Sequence, residues 1–363
     1  MPRGSHRDSE GSSPPVRENL ERISMVGVAV IGAGYWGPNL VRNIQATPQL
    51  RLKTLCDLNV TRAREVLGRY STVRATESLS ETLADPDIQA VAVATPAATH
   101  LDVALAALEA GKHVLVEKPL ASSYEDGLKL VNAADERGLV LMLDHTFCYT
   151  PVVQRLRRLV HDGELGDIQY IDSVRINLGL VQPDIDVLWD LAPHDLSILD
   201  SILPPGVTPV AVAAHGSDPM HTGKACVAYI SVQLSNGAIA HAHVNWLSPT
   251  KIRTMIVGGS KHTAVWNDLD PTQPLAVYNR GVDWSENPEA KRVSYRIGDM
   301  VAPALPTGEA LRGVMAEFAA AIIEGRAPLT DGRSGLRVLA QLEAASASYA
   351  AGGTFVPVNG GTF

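Results

Sequence analysis

The sequence predicts an α/β protein of two domains: a doubly wound parallel (Rossmann) sheet, followed by an α+β domain with a large, mostly antiparallel open sheet. Apolar runs such as Val26–Ile31 alternate with helical patterns through the first part of the chain, as they do in βα units. From about residue 209 to residue 278, strand-like stretches follow one another with turn residues between them, which is typical of an antiparallel sheet. A length of 363 residues also suits two domains.

The domain boundaries follow from where the pattern changes. We predict a disordered tail over residues 1–24, because this stretch is rich in Ser, Gly, Pro and Arg and has little to bury. The Rossmann domain is expected over residues 25–146 and the α+β domain over residues 147–363. Two helical patterns close the chain, and we consider that they pack back on the first domain.

Composition excludes several classes of partner. The net charge is −8, and there is no block of Lys or Arg, whereas nucleic-acid binding needs clustered positive charge. No apolar run approaches the ~20 residues that a membrane span requires. Cys56, Cys148 and Cys226 form no CxxC pair and are expected to be free thiols in a reducing compartment. We therefore expect a cytoplasmic protein that binds neither nucleic acid nor membrane.

A glycine motif follows the first predicted strand. Gly32, Gly34 and Gly37 form the pattern GxGxxG between that strand and a helical pattern, which is the context of a dinucleotide site. The first glycine permits the tight turn, the second lets a pyrophosphate approach, and the third lets helix and strand pack closely. Tyr35 and Trp36 occupy the variable positions, and we expect them beside the cofactor. An ordinary glycine turn is the alternative.

Asp57 follows the second predicted strand. It lies 25 residues after Gly32, close to the spacing at which an acid binds the adenosine ribose. A carboxylate there favours NAD, because it would repel the 2′-phosphate of NADP. Arg62 and Arg64 come soon after, so NADP is not excluded, and a surface aspartate is the alternative.

Two further strands of the first domain end in polar residues. Thr95, Pro96 and His100 follow one of them, and Glu117 and Lys118 follow the next. Ligands bind at the carboxyl ends of parallel strands, so we predict that all five line the cofactor crevice. A lysine at this edge can exchange a proton or bind a hydroxyl. A surface lysine is the alternative.

The second domain supplies the other candidates. Asp190 and His194 are four residues apart, so a helix that starts near Asp190 places them on one face. Asp190 could cap that helix or orient His194, and His194 is suited to proton transfer. His145 and Tyr149 follow the last strand of the first domain. We expect His145, Tyr149, Asp190 and His194 to contact the substrate.

We predict no metal site. His241 and His243 lie on one face of a predicted strand, but a metal needs a third ligand, and none is found at a suitable spacing. These two histidines are interpreted as packing or interface residues.

Together these motifs resemble the Gfo/Idh/MocA superfamily, named for glucose–fructose oxidoreductase, inositol dehydrogenase and rhizopine catabolism. The resemblance runs from Val26 to the last helix and includes the glycine motif, Glu117-Lys118-Pro119 and the Asp190/His194 pair. It implies a nicotinamide cofactor, with Lys118, Asp190 and His194 as the catalytic group. Members often form a homodimer or homotetramer through the open sheet. Ser197 stands where the family often has an aspartate.

The resemblance implies an NAD(P)-dependent oxidoreductase that transfers a hydride between nicotinamide and a secondary hydroxyl of a sugar. The motifs are similar to those of a nucleotide-sugar dehydrogenase subgroup. Two alternatives remain: a cyclitol (inositol) dehydrogenase, and a dinucleotide-binding regulatory protein without turnover. The sequence does not decide whether Lys118 or His194 is the immediate base.

Overall fold

A six-stranded parallel sheet occupies the first half of the chain in the computed structural model, which describes residues 25–182, 185–284 and 293–359. The strand order is β3-β2-β1-β4-β5-β6, and every neighbouring pair is parallel. The strands are β1 (Val26–Ile31), β2 (Leu50–Cys56), β3 (Arg74–Thr76), β4 (Ala90–Val93), β5 (His113–Glu117) and β6 (Leu141–Asp144). The predicted tail over residues 1–24 lies outside the described residues.

Both faces of this sheet are covered. Ile31 and Val93 belong to one apolar core, and their neighbours Val30 and Ala92 belong to the other, because successive side chains of a strand point to opposite faces. This burial explains why the strands are continuous apolar runs. The helices between them are α1 (Gly37–Gln45), α2 (Val60–Leu67), α3 (Leu79–Ala84), α4 (His100–Glu109) and α5 (Tyr124–Arg137).

A nine-stranded sheet forms the second half, in the order β14-β13-β12-β11-β7-β10-β9-β8-β15. Only its central pair, β7 and β10, is parallel among the strands described. Its strands are β7 (Ile168–Leu178), β8 (Pro209–Ser217), β9 (Val227–Leu234), β10 (Ile239–Asn245), β11 (Leu247–Gly259), β12 (Thr263–Asn267), β13 (Leu275–Trp284), β14 (Val293–Val301) and β15 (Val356–Pro357). The predicted fold class is therefore confirmed.

Helices join the two sheets. After β6 come α6 (Pro151–His161) and α7 (Val187–Ile202), and α7 packs on one face of the second sheet. The closing helices are α8 (Ala310–Glu324) and α9 (Gly332–Ala350). Helix α8 lies against α1, and α9 lies against α5, α7 and β8. The arrangement brings α7 to the edge of the first sheet, where the candidate site lies.

The structure corrects two local predictions. Helix α7 begins at Val187, and its cap is Asp186, whose carboxylate accepts the N–H of Trp189. Asp190 therefore lies inside the first turn and is not the cap. Strands β14 and β15 were also not predicted: most side chains of β14 are exposed and its sequence carries no buried alternation, and β15 has only two residues.

Candidate active site

The glycine motif forms a turn that admits little besides glycine at two of its three positions. Gly32 has φ +104°, and a Cβ there would meet the carbonyl of Ala94 at 2.6 Å. A Cβ on Gly37 would collide with the carbonyl of Gly32. A Cβ on Gly34 would meet nothing within 4 Å. Gly32 and Gly37 are therefore required by the fold, whereas Gly34 leaves open space at the start of α1.

The N-terminus of α1 faces that open space. Its N-cap residue is Trp36, and no side chain caps the helix among the described residues; Pro38 occupies its first turn. Free amides at a helix N-terminus attract anions. The loop and the helix together therefore present a cradle for a phosphate group.

Asp57 follows β2 and holds the same loop. Its Oδ2 accepts the N–H of Ala33 at 2.6 Å, and its Oδ1 accepts the N–H of Asn59 at 2.7 Å. Arg62 reaches the other side of the loop, where its Nε donates to the carbonyl of Ala33 at 3.2 Å. Asp57 therefore lies beside the glycine motif, as its predicted role in binding the adenosine ribose requires.

Tyr35 and Trp36 differ in their surroundings. Tyr35 is 93% exposed. The indole N–H of Trp36 donates to Oδ2 of Asp144 at 2.9 Å, and Thr146 donates to the other oxygen of that carboxylate at 2.7 Å. Burial raises the pKa of Asp144. Trp36 thus connects the glycine motif to the end of β6, a contact that the sequence did not indicate.

His100 connects two of the loops at the edge of the first sheet. Its ring nitrogens lie 2.7 Å from the carbonyl of Pro119 and 2.9 Å from the carbonyl of Thr95. The ring is 1% exposed, and burial lowers its pKa. Thr95 also accepts a hydrogen bond from Thr99 at 2.9 Å, and Pro96 is exposed. Since both of its nitrogens face backbone, His100 positions the loops in which Thr95 and Lys118 lie.

Lys118 projects from the end of β5 toward α7. Its Nζ donates to the backbone carbonyl of Asp190 at 2.8 Å and to Oδ1 of that residue at 3.1 Å. The two side chains are 19% and 20% exposed. Glu117 turns back, and its carboxylate accepts the backbone N–H of Lys118 at 2.6 Å. Burial and the neighbouring charge of Asp144 raise the pKa of Glu117 well above its usual value.

Both carboxylate oxygens of Asp190 accept hydrogen bonds from residues other than His194. Oδ1 accepts Lys118, and Oδ2 accepts the indole N–H of Trp246 at 3.0 Å. Nδ1 of His194 has no hydrogen-bond partner among the described residues, so Asp190 does not hold that nitrogen, and a role of Asp190 in orienting His194 stays a prediction. Asp190 holds the ammonium of Lys118.

Two histidines lie beside this ion pair. Three of their ring nitrogens are buried: Nδ1 of His194 and both nitrogens of His145. None of the three has a hydrogen-bond partner among the described residues. Burial and the charges of Lys118 and Arg175 lower the pKa of His194 well below its usual value. Burial and Lys118 lower the pKa of His145 to about 3. Both imidazoles are therefore neutral near pH 7, and these three buried ring nitrogens have hydrogen-bonding capacity that no described residue uses.

The side chain of Tyr149 contacts Thr330 and helix α8. Its hydroxyl hydrogen-bonds to Oγ1 of Thr330 at 2.9 Å, and its Cβ faces Gly313 on α8. A contact of Tyr149 with the substrate stays a prediction. The ring is held between the end of β6 and the closing helix, where it serves packing.

Sequence reasoning missed four residues around the site: Trp246, Asp195, Arg175 and Phe147. Trp246 binds Asp190. Asp195, next to His194 in the chain, binds Arg175 through both oxygens at 2.8 and 3.1 Å. The guanidinium of Arg175 also covers the ring of Phe147 at 4.3 Å, and that ring meets His194 edge-on at 5.1 Å. Each contact joins residues distant in the chain, so no local pattern could have indicated it.

The comparisons with known proteins agree with this geometry. The protein-family model described as "Oxidoreductase family, NAD-binding Rossmann fold" matches residues 26–145, and the family model of the "GFO/IDH/MocA C-terminal domain" matches residues 153–265. The chain belongs to the Gfo/Idh/MocA family. It is therefore an NAD-binding oxidoreductase, and the predicted cofactor class is confirmed.

Two members of this family are similar over nearly their whole length. UDP-N-acetylglucosamine 3-dehydrogenase of Acidithiobacillus ferrooxidans is 33% identical over 314 residues, which are 86% of this chain and 93% of the relative. Its solved structure has a TM-score of 0.77 and covers 90% of this chain and 98% of its own. A protein from gentamicin A biosynthesis, solved in complex with NAD, is 26% identical with a TM-score of 0.77, and the match covers 99% of both chains.

A shorter match concerns a cyclitol enzyme of the family. The NADP(+)-dependent scyllo-inositol 2-dehydrogenase of Bacillus subtilis is 27% identical over 168 residues, which are 46% of this chain and 44% of that relative. The likeness to the nucleotide-sugar enzyme extends about twice as far along both chains.

The described part of the chain contains neither a membrane-spanning helix nor a metal-binding cluster. No helix there has the length and apolar character needed to cross a membrane. No group of three or more His, Cys, Asp or Glu residues there could hold a metal ion. His241 and His243 instead lie beside Tyr229, which stacks on His243 at 4.3 Å.

Proposed function

We propose that this chain is an NAD-dependent dehydrogenase of a secondary hydroxyl on a nucleotide-linked sugar. The observation that carries the proposal is the meeting of Lys118, Asp190 and His194 at the carboxyl end of β5, on the same edge of the sheet as the glycine motif. The similarity to UDP-N-acetylglucosamine 3-dehydrogenase supports a nucleotide-linked substrate.

The residues of the first domain fit the cofactor. The uncapped N-terminus of α1 and the open space at Gly34 would hold the pyrophosphate, and Asp57 would bind the adenosine ribose. The carboxylate of Asp57 supports NAD over NADP, because it would repel a 2′-phosphate. When bound, NAD supplies the nicotinamide carbon that accepts the hydride.

We propose that His194 takes the proton of the substrate hydroxyl and that Lys118 binds the hydroxyl oxygen. Lys118 already donates to two oxygens of Asp190, whereas Nδ1 of His194 has no partner among the described residues. A neutral imidazole has a lone pair that can accept a proton. Proton transfer of this kind typically contributes ~10²–10⁴-fold to the rate. The buried, neutral His145 lies on the same side and would bind a further hydroxyl of the sugar.

The experiment is a turnover assay on the full chain. NADH binding is first measured by fluorescence. NAD and UDP-N-acetylglucosamine are then supplied, and the reduced cofactor is followed by its absorbance. We expect turnover with the sugar nucleotide and little with free N-acetylglucosamine or myo-inositol, which serve as the matched controls.

Each alternative has its own outcome in this assay. Faster turnover with free myo-inositol than with any sugar nucleotide would identify a cyclitol dehydrogenase. Binding of NADH without turnover on any of these compounds would support a regulatory dinucleotide-binding protein instead.

We further propose that the chain forms a homo-oligomer through the second sheet. The face opposite α7 carries exposed apolar side chains at Tyr170, Tyr229, Ile239 and Ile252. An exposed apolar face of this kind marks an interaction surface. Sedimentation velocity on the full chain tests it, and a monomer at assay concentration would contradict it. The three free thiols, Cys56, Cys148 and Cys226, support a cytoplasmic location.

A further inference from the structure

Trp246 lies at the junction of β10 and β11, beneath the candidate site. It is 1% exposed, and its indole N–H donates to Oδ2 of Asp190 at 3.0 Å. Its backbone is held on both sides, since its N–H donates to the carbonyl of Cys226 at 3.0 Å and its carbonyl accepts the N–H of Gly179 at 2.8 Å. These backbone hydrogen bonds, which lie just beyond the strand ends, and the burial of the ring therefore hold the indole in place.

The carboxylate of Asp190 joins this indole to Lys118. Oδ2 is bound to Trp246, and Oδ1 accepts Nζ of Lys118 at 3.1 Å. A carboxylate held at one oxygen cannot turn about its Cβ–Cγ bond without breaking that hydrogen bond. The direction in which Oδ1 presents itself to Lys118 thus depends on Trp246.

We propose that Trp246 is a positioning residue for the dehydrogenase reaction: through the carboxylate of Asp190, it holds the ammonium of Lys118 at the place where the substrate hydroxyl binds. The inference rests on the proposed function for the role of Lys118. The contact itself links the second sheet, α7 and β5, so the second domain places a side chain of the first. Small displacements of a positioned group cost large factors in rate.

The chain offers a matched control in Trp266. It lies on β12 of the same sheet and is also 1% exposed. Its indole nitrogen is buried and has no hydrogen-bond partner among the described residues. A change from Trp to Phe therefore removes a similar volume at both positions but removes a hydrogen bond only at Trp246.

The kinetic test compares Trp246→Phe with Trp266→Phe on the sugar nucleotide that the parent oxidises. We expect Trp246→Phe to lower kcat by about 10- to 100-fold, in line with the cost of misplacing a reacting group by about 1 Å. The Kd for NADH should not change, and Trp266→Phe should lose less kcat than Trp246→Phe, because Trp266 approaches the site only through the ring of Phe147, at 6.3 Å between ring centroids. Equal losses in both variants, or an unchanged kcat in Trp246→Phe, would overturn the proposal.

A second measurement needs no turnover and no Trp246 variant. The indole N–H resonances of Trp246 and Trp266 are assigned by through-bond NMR and compared between the parent and Lys118→Met. We expect the Trp246 resonance to shift, because the carboxylate that it binds has lost its other donor, and the Trp266 resonance to stay. An unmoved Trp246 resonance would overturn the proposal. A shift in a chain that oxidises no sugar nucleotide would support the positioning contact while the proposed function fails.

Discussion

The two halves of the candidate site are built in opposite ways. The glycine motif lies within six consecutive residues, Gly32 to Gly37, and its shape depends on close contacts between its own backbone and the neighbouring strand ends. The Lys118–Asp190–His194 cluster is assembled from β5 and α7, and 72 residues separate Lys118 from Asp190. A further 56 residues separate Asp190 from Trp246.

This difference affects how each half responds to change. The shape of the glycine motif depends on steric contact. Adding even a methyl group should therefore disturb its structure or its cofactor binding, whereas the motif itself carries no charged side chain to lose. The Lys118–Asp190–His194 cluster depends on charge and hydrogen bonding. It should therefore tolerate a small change in side-chain volume but not the loss of a polar atom.

The largest expected effect is the loss of a polar group from the cluster. Lys118→Met and His194→Gln should each lower kcat by ~10²–10⁴-fold, because each removes a group proposed to contact the reacting hydroxyl. NADH affinity, measured by fluorescence, should stay close to that of the parent. Lys129→Met is the matched control, since Lys129 is an exposed lysine on α5 that pairs with Glu125 and Asp126.

The pH profile separates the roles of these two residues. If His194 is the proton acceptor, kcat/KM for oxidation falls as pH decreases through the pKa of His194, which burial places below its usual value. If Lys118→Met and His194→Gln both kept a turnover near that of the parent, neither residue would have the proposed role.

The next effect concerns the glycine motif. Gly34→Ala should leave the free energy of unfolding unchanged, because its methyl group meets nothing in the chain, but it should weaken NAD binding about tenfold or more, which is about 1.4 kcal/mol or more. Gly37→Ala should weaken binding and also lower the free energy of unfolding by about 1–3 kcal/mol, because its methyl group meets the backbone of Gly32. Urea denaturation and NADH titration measure the two quantities. Equal stability losses in both variants would contradict the distinction.

The smallest expected effect is on stability at acidic pH. In the folded chain burial lowers the pKa of His145 to about 3, while the unfolded chain binds that proton near the ordinary value of about 6.5. Between these values the unfolded state holds more protons, so the free energy of unfolding falls as pH decreases, by at most about 1.4 kcal/mol per pH unit from this group. In His145→Asn, urea denaturation from about pH 7 to pH 5 should show a shallower fall. Parallel slopes in parent and variant would refute it.

The sequence alone was sufficient for the fold class, the family and the cofactor. Each depends on local patterns: apolar runs with the period of buried strands, glycines at positions that a Cβ would block, and a strand end that carries Glu117 and Lys118. Such patterns can be read from the sequence because the interactions that cause them act between residues close together in the chain. The assigned roles of Lys118, Asp190 and His194 remain predictions.

Only the tertiary structure decided how those side chains meet. Asp190, which the sequence allowed as a helix cap, instead binds Lys118 and Trp246. Tyr149 hydrogen-bonds to Thr330, and Trp36 donates to Asp144. Each contact joins distant parts of the chain, so it depends on the register of strands and the packing of α7 between the sheets. The residue types at the site were thus readable from sequence, whereas their hydrogen bonds arose from the folding of two domains against each other.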